Sequence, residues 1–293
     1  MLKIWIEAMR LRTLPVSISG VLLAIGYGYY YGNYNYVVIL LCLMFAILAQ
    51  IASNFANEYY DFKDGLDRKG REGPRRGVTE GDITPQAMKL ATYITLALAC
   101  CIGCSLIYFG GWWLVLAGVM ITIGVIAYSA GPYPLSRHCL GEVAVVFFFG
   151  IIPVNLTYYV QALSWEWYVL WGSLSAGLMG ANVLIINNYR DRDDDRAVGK
   201  NTIAVKLGRY RTSWIYLLNG YIAVLLMLNV WMSLSIWSVL IPVIYLVLHT
   251  VLWRKMQSKY GAQLNPMLGM TAMLMLFYSL SFMIVAKIAN FAM

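Results

Sequence analysis

Charge is scarce in this sequence. Only 12% of the 293 residues are Asp, Glu, Lys or Arg, about half the share of an ordinary globular domain. Fourteen acids cannot supply the charged skin that a soluble protein of this length requires. The expectation is a membrane protein, in keeping with 60% hydrophobic residues. Histidine is scarcer still: His138 and His249 are too few and too separated for a zinc site. The five cysteines form no disulfide framework. Cys100, Cys101 and Cys104 imitate a CxxC cluster, but their apolar run offers no His or acidic partner, so they read as small buried hydrophobes. No Gly-rich phosphate loop of the Walker or Rossmann type occurs, and no secretory-signal pattern opens the chain.

What the chain does have is apolar length. A bilayer core about 30 Å thick takes roughly 20 apolar residues per helix. On that ruler nine spans are predicted, at residues 14–32, 36–58, 86–109, 112–130, 141–162, 167–188, 212–230, 234–253 and 265–289. The expected fold is therefore all-α, a polytopic bundle of nine transmembrane helices. A formal charge of +8 raises nucleic acid as a partner, and the placement of the 22 basic residues answers it. The connections at 32–36, 110–111, 161–167 and 231–235 carry no Lys or Arg, whereas the N-terminal segment and the loops after spans two, four, six and eight carry nearly all. That is the positive-inside pattern: N-terminus and basic loops cytoplasmic, C-terminus outside, with the bilayer rather than nucleic acid as partner. Trp112, Trp113, Trp165, Trp167, Trp231 and Trp237 sit at the uncharged ends, as an interfacial belt would. Gly20, Gly26, Gly28, Gly172, Gly177 and Gly180 read as sites of close helix packing.

The acids are not spread evenly. Eleven of the fourteen fall within residues 58–82 and 191–195, at the cytoplasmic ends of spans two and six. The first cluster reads Asn54-Phe-Ala-Asn57-Glu58-Tyr-Tyr-Asp61-Phe-Lys-Asp64-Gly65-Leu-Asp67, and the second Asn187-Asn188-Tyr-Arg-Asp191-Arg-Asp-Asp-Asp195. Each places an Asn four residues before an Asp, which on a helix puts Asn57 over Asp61, and Asn187 over Asp191 over Asp195. Two facing clusters of oxygen donors suit Mg²⁺, a hard cation that takes few carboxylates and completes its shell with water and phosphate oxygens. A Ca²⁺ loop of the EF-hand kind is excluded, because the Gly at position six and the closing Glu are missing. A cation-coupled transporter would carry its acids near the bilayer midplane rather than at one face. The matched spacing also suggests a four-helix pseudo-repeat, spans one to four answering five to eight, within a single domain covering residues 1–293.

At these residues the chain resembles the UbiA superfamily of intramembrane polyprenyltransferases, marked by two Asp-rich motifs after the second and sixth of nine helices. The resemblance extends to Arg12-Thr13-Leu14-Pro15, to Gly73-Pro74-Arg75-Arg76-Gly77, to Tyr128-Ser-Ala-Gly131-Pro132-Tyr-Pro134-Leu135 with Leu140-Gly141-Glu142, and to Gly199-Lys200-Asn-Thr202. Within that superfamily the six-residue step from Asp61 to Asp67 is similar to the menaquinone branch; the ubiquinone branch, acting on 4-hydroxybenzoate, typically uses four. Glu58 departs from the family's usual Asp, and Asp64 lies outside its pattern.

The resemblance implies Mg²⁺-dependent transfer of a polyprenyl group from polyprenyl diphosphate to 1,4-dihydroxy-2-naphthoate, with loss of the carboxyl group, giving demethylmenaquinone. It implies a multi-pass protein of the cytoplasmic (inner) membrane whose active site faces the cytoplasm. Asp61, Asp67, Asp191 and Asp195 would be the catalytic carboxylates and, with Asn57 and Asn187, the metal ligands. Lys200, Arg75, Arg76, Arg68 and Arg137 would grip the diphosphate. Tyr128, Tyr158 and Tyr159 near span ends, and Asn182 at membrane depth, are candidates for the acceptor pocket, because ring faces attract an allylic cation and a polar group inside a span is costly without a purpose. For Asn182 a helix-to-helix contact is the equal alternative. Neither prenyl chain length nor a general base can be read from the residues.

Overall fold

The computed structural model describes residues 1–67, 69–70 and 72–292. Those residues form no strand, and helices account for most of them. The short amphipathic α1 (Leu2–Ala8) leads through a left-handed turn at Arg10 (φ 51°) into α2 (Leu14–Tyr30), which opens with Pro15 in its first turn. α3 (Tyr36–Lys63) is capped by Asn35, whose Oδ1 accepts from the backbone N–H of Val37 and Val38 at 2.9 and 3.3 Å. A single turn, α4 (Gly77–Glu80), precedes α5 (Pro85–Gly110), started by the Thr84 cap and Pro85. Next come α6 (Leu114–Ala127) and α7 (Gly141–Val145), which passes through a π-helical turn at Val146–Ile151 into α8 (Ile152–Ala162). α9 (Trp167–Arg190) is followed by α10 (Arg192–Ala197), then α11 (Ile203–Leu234), α12 (Leu240–Gln257) and α13 (Asn265–Ala292).

Eight helices among the described residues are long and apolar enough to cross a bilayer. The expected span at 112–130 is shorter than predicted. α6 is helical over 14 residues only, a rise of about 21 Å, because Gly110-Gly111 precedes it and Gly131-Pro132 stops it. The span expected at 212–230 belongs to a longer rod, which Gly208 (φ 76°) breaks near its start. α3 also outruns its prediction: at 28 residues it rises about 42 Å and carries the first acidic motif past the hydrocarbon.

α9 is the most enclosed span, with 72% of its apolar window buried. It packs against α11 on one side and the π-helical turn on the other, while α2 packs along α13 and α3 along α5. The predicted glycine contacts are present. Gly177 faces the backbone of Val146 and Gly150 faces Gly177, so the π turn lies directly on α9; Gly20 meets the Phe149 carbonyl, and Gly26 meets the Phe282 ring. Tyr27, Trp231, Tyr278 and Phe282 fill the centre, with Trp231 Nε1 donating to Tyr278 Oη at 2.7 Å.

Both motif-bearing helix ends lie at one end of the bundle. α1 lies there too, its Trp5 ring edge-on to Phe55 at 5.7 Å. α13 starts at that end beside Arg190 and runs away from it, so that Lys287 sits over Tyr29 near the opposite turn.

Candidate active site

The first motif is organised by the register of α3. Gln50, Asn54, Asn57 and Asp61 follow one another at three- or four-residue intervals and face α2 and the bundle interior. Asn54 Nδ2 donates to the Met9 carbonyl (2.9 Å) and to Thr13 Oγ1 (3.1 Å), and Ser17 Oγ donates to Gln50 Oε1 (2.8 Å). This network fixes the turn between α1 and α2 on α3. That turn delivers Arg10, whose Nη2 donates to Asn57 Oδ1 at 2.9 Å. Arg76 Nη2 donates to the same oxygen at 3.1 Å, while Asn57 Nδ2 donates to Ser129 Oγ at 3.1 Å.

Asp61 is the hub. Its carboxylate is 2% exposed and lies 3.8 Å from Arg76, 4.0 Å from Arg137 and 3.6 Å from Lys200 Nζ. Arg76, itself 7% exposed, also reaches Asp67 (3.3 Å) and Glu58 (3.9 Å). Glu58 is turned toward α4, where its Oε1 accepts from the Val78 N–H at 3.1 Å. Asp64, outside the family pattern, pairs with Arg137 at 2.7 Å and so holds that arginine over Asp61.

In the second motif α9 ends at Arg190, yet the ladder continues. The Asp191 N–H donates to the Asn187 carbonyl (3.0 Å) and the Asp195 N–H to the Asp191 carbonyl (2.8 Å), so the Asn187, Asp191, Asp195 stack survives the change of direction at Asp191. Arg190 grips Asp191 with Nε and Nη2 at 2.6 and 2.7 Å, and donates to Asn187 Oδ1 (2.7 Å) and Asn265 Oδ1 (2.9 Å). The motifs meet through Lys200 on Asp61, and through the Glu72 N–H, which donates to Asp194 Oδ2 at 3.4 Å. The loop holding Arg137 is stitched to the loop holding Lys200: the Asn201 N–H donates to the Arg137 carbonyl (3.0 Å) and the Cys139 N–H to the Asn201 carbonyl (2.8 Å).

Beneath this polar end lies an apolar cavity of about 410 Å³ between α2, α3, α5, α6 and the α7–α8 unit, walled by Val21, Phe45, Leu96, Ile121, Phe148 and Val160. Gln50, Ser53 and Tyr128 mark the end nearest Asn57. From Ser53 to Cys42 the cavity follows α3 for about 16 Å. Tyr128 lies just beyond α6; desolvation, reinforced by the charges of Glu142 and Asp61, pushes its phenol well above the ordinary range, so it stays a neutral donor.

The donors are all oxygen, as a hard cation requires, and Asp61 Oδ1 is buried and receives no hydrogen bond among the described residues. Among those residues no three Asp, Glu, His or Cys side chains converge closely enough to hold a metal by themselves. A cation would thus be shared between the motifs and completed by other oxygens.

The structure brings together Asn57, Asp61, Asp67, Arg76, Arg137 and Lys200, with Tyr128 below them. Other predicted residues lie elsewhere. Arg75 is half-exposed and ion-paired to Asp82; it points away because Arg76, its neighbour, points in. Tyr158 and Tyr159 sit at the opposite end of α8, where Tyr159 stacks on Trp165 at 4.8 Å. Eighteen residues separate Tyr159 from Gly141, about 27 Å of helix. Asn182 is fully buried between α9 and α11, donating to the Tyr216 carbonyl (3.0 Å) and accepting from Asn219 (3.2 Å), so it joins helices. Arg68 lies outside the described residues. Arg10, Ser129, Asp64 and Arg190 were not singled out from the sequence, nor was Glu142 assigned a role. Glu142 had a signal: it is the one acid inside the predicted span 141–162.

The sequence profile of the UbiA prenyltransferase family matches residues 15–285. The chain belongs to that family. It is 36% identical over 244 residues to the 1,4-dihydroxy-2-naphthoate octaprenyltransferase of Escherichia coli, covering 80% of this chain and 79% of that one. It is 34% identical over 223 residues to the enzyme of the same name from Haemophilus influenzae, covering 72% and 71%. Among solved structures it superposes on a UbiA homologue from Archaeoglobus fulgidus bound to DMAPP and Mg²⁺, with a TM-score of 0.65 at 16% identity over 96% of this chain and 99% of that one. An apo UbiA homologue from Aeropyrum pernix gives a TM-score of 0.66 at 15% identity, over 99% and 98%. At such identities the agreement speaks for the UbiA fold, and it extends over nearly the whole chain.

Proposed function

We propose that this UbiA-family chain transfers a polyprenyl group from polyprenyl diphosphate to an aromatic carbon of 1,4-dihydroxy-2-naphthoate, releasing diphosphate and the carboxyl group as CO₂ and giving demethylmenaquinol, the reduced form of demethylmenaquinone. The observation that carries the reading is the meeting of both acidic motifs above an apolar cavity, with Lys200 of the second on Asp61 of the first. The relatives' shared name supplies the acceptor.

The chain's own residues suit the task. Arg76, Arg137 and Lys200 converge on Asp61, and the same cations would face a diphosphate placed between the motifs and stabilise the charge it gains as the allylic C–O bond breaks. Asn57, Asp61, Asp67, Asn187, Asp191 and Asp195 would hold Mg²⁺, which when bound supplies further positive charge at the leaving oxygens. The cavity accepts the apolar tail and keeps water from the allylic cation, and the Tyr128 ring offers it a negative face.

We read residues 1–293 as one domain in the cytoplasmic membrane, with α6 as a ninth, short span. The motif end, with the N-terminus, then faces the cytoplasm and the C-terminus lies outside, as the basic loops favour.

The test is an assay of the purified protein with 1,4-dihydroxy-2-naphthoate and a polyprenyl diphosphate, with and without Mg²⁺, on wild type, Asp61→Ala and Asp191→Ala. Mg²⁺-dependent demethylmenaquinol, read as demethylmenaquinone after oxidation in air and lost in both variants, is the expected result. Product with 4-hydroxybenzoate alone would overturn the acceptor, and no product with any aromatic acceptor would overturn the reaction.

A further inference from the structure

Glu142 is a carboxylate with no cation. It stands in the first turn of a membrane-crossing unit, 7% exposed, and among the described residues it forms no ion pair. One oxygen, Oε1, accepts from Asn188 Nδ2 at 2.8 Å. A buried carboxylate at this depth is costly unless something donates to it. The metal motifs do not account for it, because Asn188 lies a third of a helical turn away from the Asn187, Asp191, Asp195 stack.

A phenol stands nearby. The Tyr128 hydroxyl lies 3.7 Å from where a Cβ would sit on Gly141. Tyr128 lines the polar end of the cavity, as do Ala144 and Val145 on the helix that Glu142 begins. A neutral donor therefore lines one end of an apolar slot, and a carboxylate acceptor stands on the helix that walls it, beside the residues assigned to the diphosphate and Mg²⁺. A flat aromatic molecule with ring hydroxyls can hydrogen-bond to both groups, whereas an isoprenoid tail can pair with neither.

Resting on the proposed prenyl transfer, we propose that Glu142, oriented by Asn188, accepts a hydrogen bond from a ring hydroxyl of the aromatic acceptor and so determines which acceptor is used. The hydrogen bond draws the hydroxyl proton away from oxygen and raises electron density at the ring carbons beside it, where the allylic cation is received. A site built around such a bond rejects an analogue lacking the donor, because the buried carboxylate is then left unpaired.

The experiment measures initial rates of wild type, Glu142→Gln and Glu142→Asp with 1,4-dihydroxy-2-naphthoate and with its mono-O-methyl ethers, varying acceptor and prenyl diphosphate separately. Wild type is expected to disfavour one methyl ether strongly. Glu142→Gln is expected to raise KM for the naphthoate about 10- to 100-fold, the loss of one charge-assisted hydrogen bond, to keep KM for the prenyl diphosphate within about twofold, and to discriminate less against that ether. Glu142→Asp is expected to fall between the two. Equal rises in both KM values, or unchanged discrimination in Glu142→Gln, would overturn the proposal and leave Glu142 a packing residue. Should neither variant fold, wild type turning over both methyl ethers as fast as the naphthoate would overturn it alone. Wild type inactive on the naphthoate but active on 4-hydroxybenzoate would instead overturn the acceptor of the proposed function; the same comparison then runs on that acid and its methyl ether.

Discussion

Arg75 and Arg76 are neighbours of identical chemistry, and the structure predicts opposite fates for their removal. Arg76 is 7% exposed, donates to Asn57 and lies within 3.9 Å of Glu58, Asp61 and Asp67, all nearly buried. Arg75 is 49% exposed and pairs with Asp82 and Glu7. Taking one partner from a buried ion pair costs about 3–5 kcal/mol, and here three carboxylates share the partner, so Arg76→Ala belongs at the upper end. Taking one from an exposed pair costs about 0–1 kcal/mol. In the reaction, loss of one preorganised donor to developing charge slows turnover roughly 10²- to 10³-fold. Arg76→Ala should therefore lose at least that factor in kcat/KM for prenyl diphosphate and melt several degrees lower, with Mg²⁺ recovering part of the melting temperature by replacing the missing positive charge. Arg76→Lys should recover some stability and little rate, since an ammonium cannot reach four oxygens as the planar fork does. Arg75→Ala should remain within about twofold in rate. The assays are steady-state kinetics and thermal unfolding in one detergent, with and without Mg²⁺. Equal losses in Arg75→Ala and Arg76→Ala, or near-wild-type turnover in Arg76→Ala, would refute the account of Asp61 as the hub.

Arg190→Gln should lose activity at least 100-fold and unfold earlier than wild type, because Asp191 and Asn187 lose a buried bidentate partner; Asn265→Ala, which removes only the outer hydrogen bond, should cost about 1 kcal/mol, read in the same kinetic and melting assays. Gly177→Ala should yield little folded protein by size-exclusion chromatography, since an added methyl meets the Val146 backbone, whereas Gly269→Ala has open space around it and should be neutral or slightly stabilising. Tyr159→Phe should leave kcat unchanged, being about 27 Å of helix from Gly141. Tyr128→Phe should raise the KM for the aromatic acceptor by a factor that stays constant between pH 6 and 9. Its phenol ionises above the ordinary 10.0, so it is neutral throughout that window, and its contribution to stability is intact below pH 10 and declines above it as the unfolded chain begins to ionise; a pH profile of the variant-to-wild-type ratio checks both.

Several of these contrasts could not be read before folding. Asn57 over Asp61, and Asn187 over Asp191, follow from the helical repeat, so the acidic faces were legible. The bundle's length and the polarity of its loops were legible for the same local reason: apolar runs and basic clusters are properties of single segments. The choice between Arg75 and Arg76 was not, since both occupy an irregular loop where no period tells which side chain turns inward. Nor was the reach of Tyr158 and Tyr159. They lie near the end of a span, but at the end remote from both motifs. In the sequence Arg10 is only one more topology charge, because its place at Asn57 depends on a left-handed turn and on the Asn54 contacts to Met9 and Thr13.

Glu58 and Asp64 show what composition leaves out about the site itself. By residue type they look like two more ligands, yet Glu58 anchors the α4 backbone and Asp64 holds Arg137. The resting site is thus balanced by its own cations: Arg10, Arg76, Arg137 and Lys200 stand among Asp61, Asp64, Asp67 and Glu58. A diphosphate anion entering with Mg²⁺ can exchange partners with this cluster without leaving a buried charge alone. Without the metal the same diphosphate would meet carboxylates as well as cations. Binding of prenyl diphosphate, and not only turnover, should therefore require Mg²⁺; equilibrium binding of a non-hydrolysable analogue that is equally tight in EDTA would show that the cations alone suffice and that the acids serve only to hold them in place.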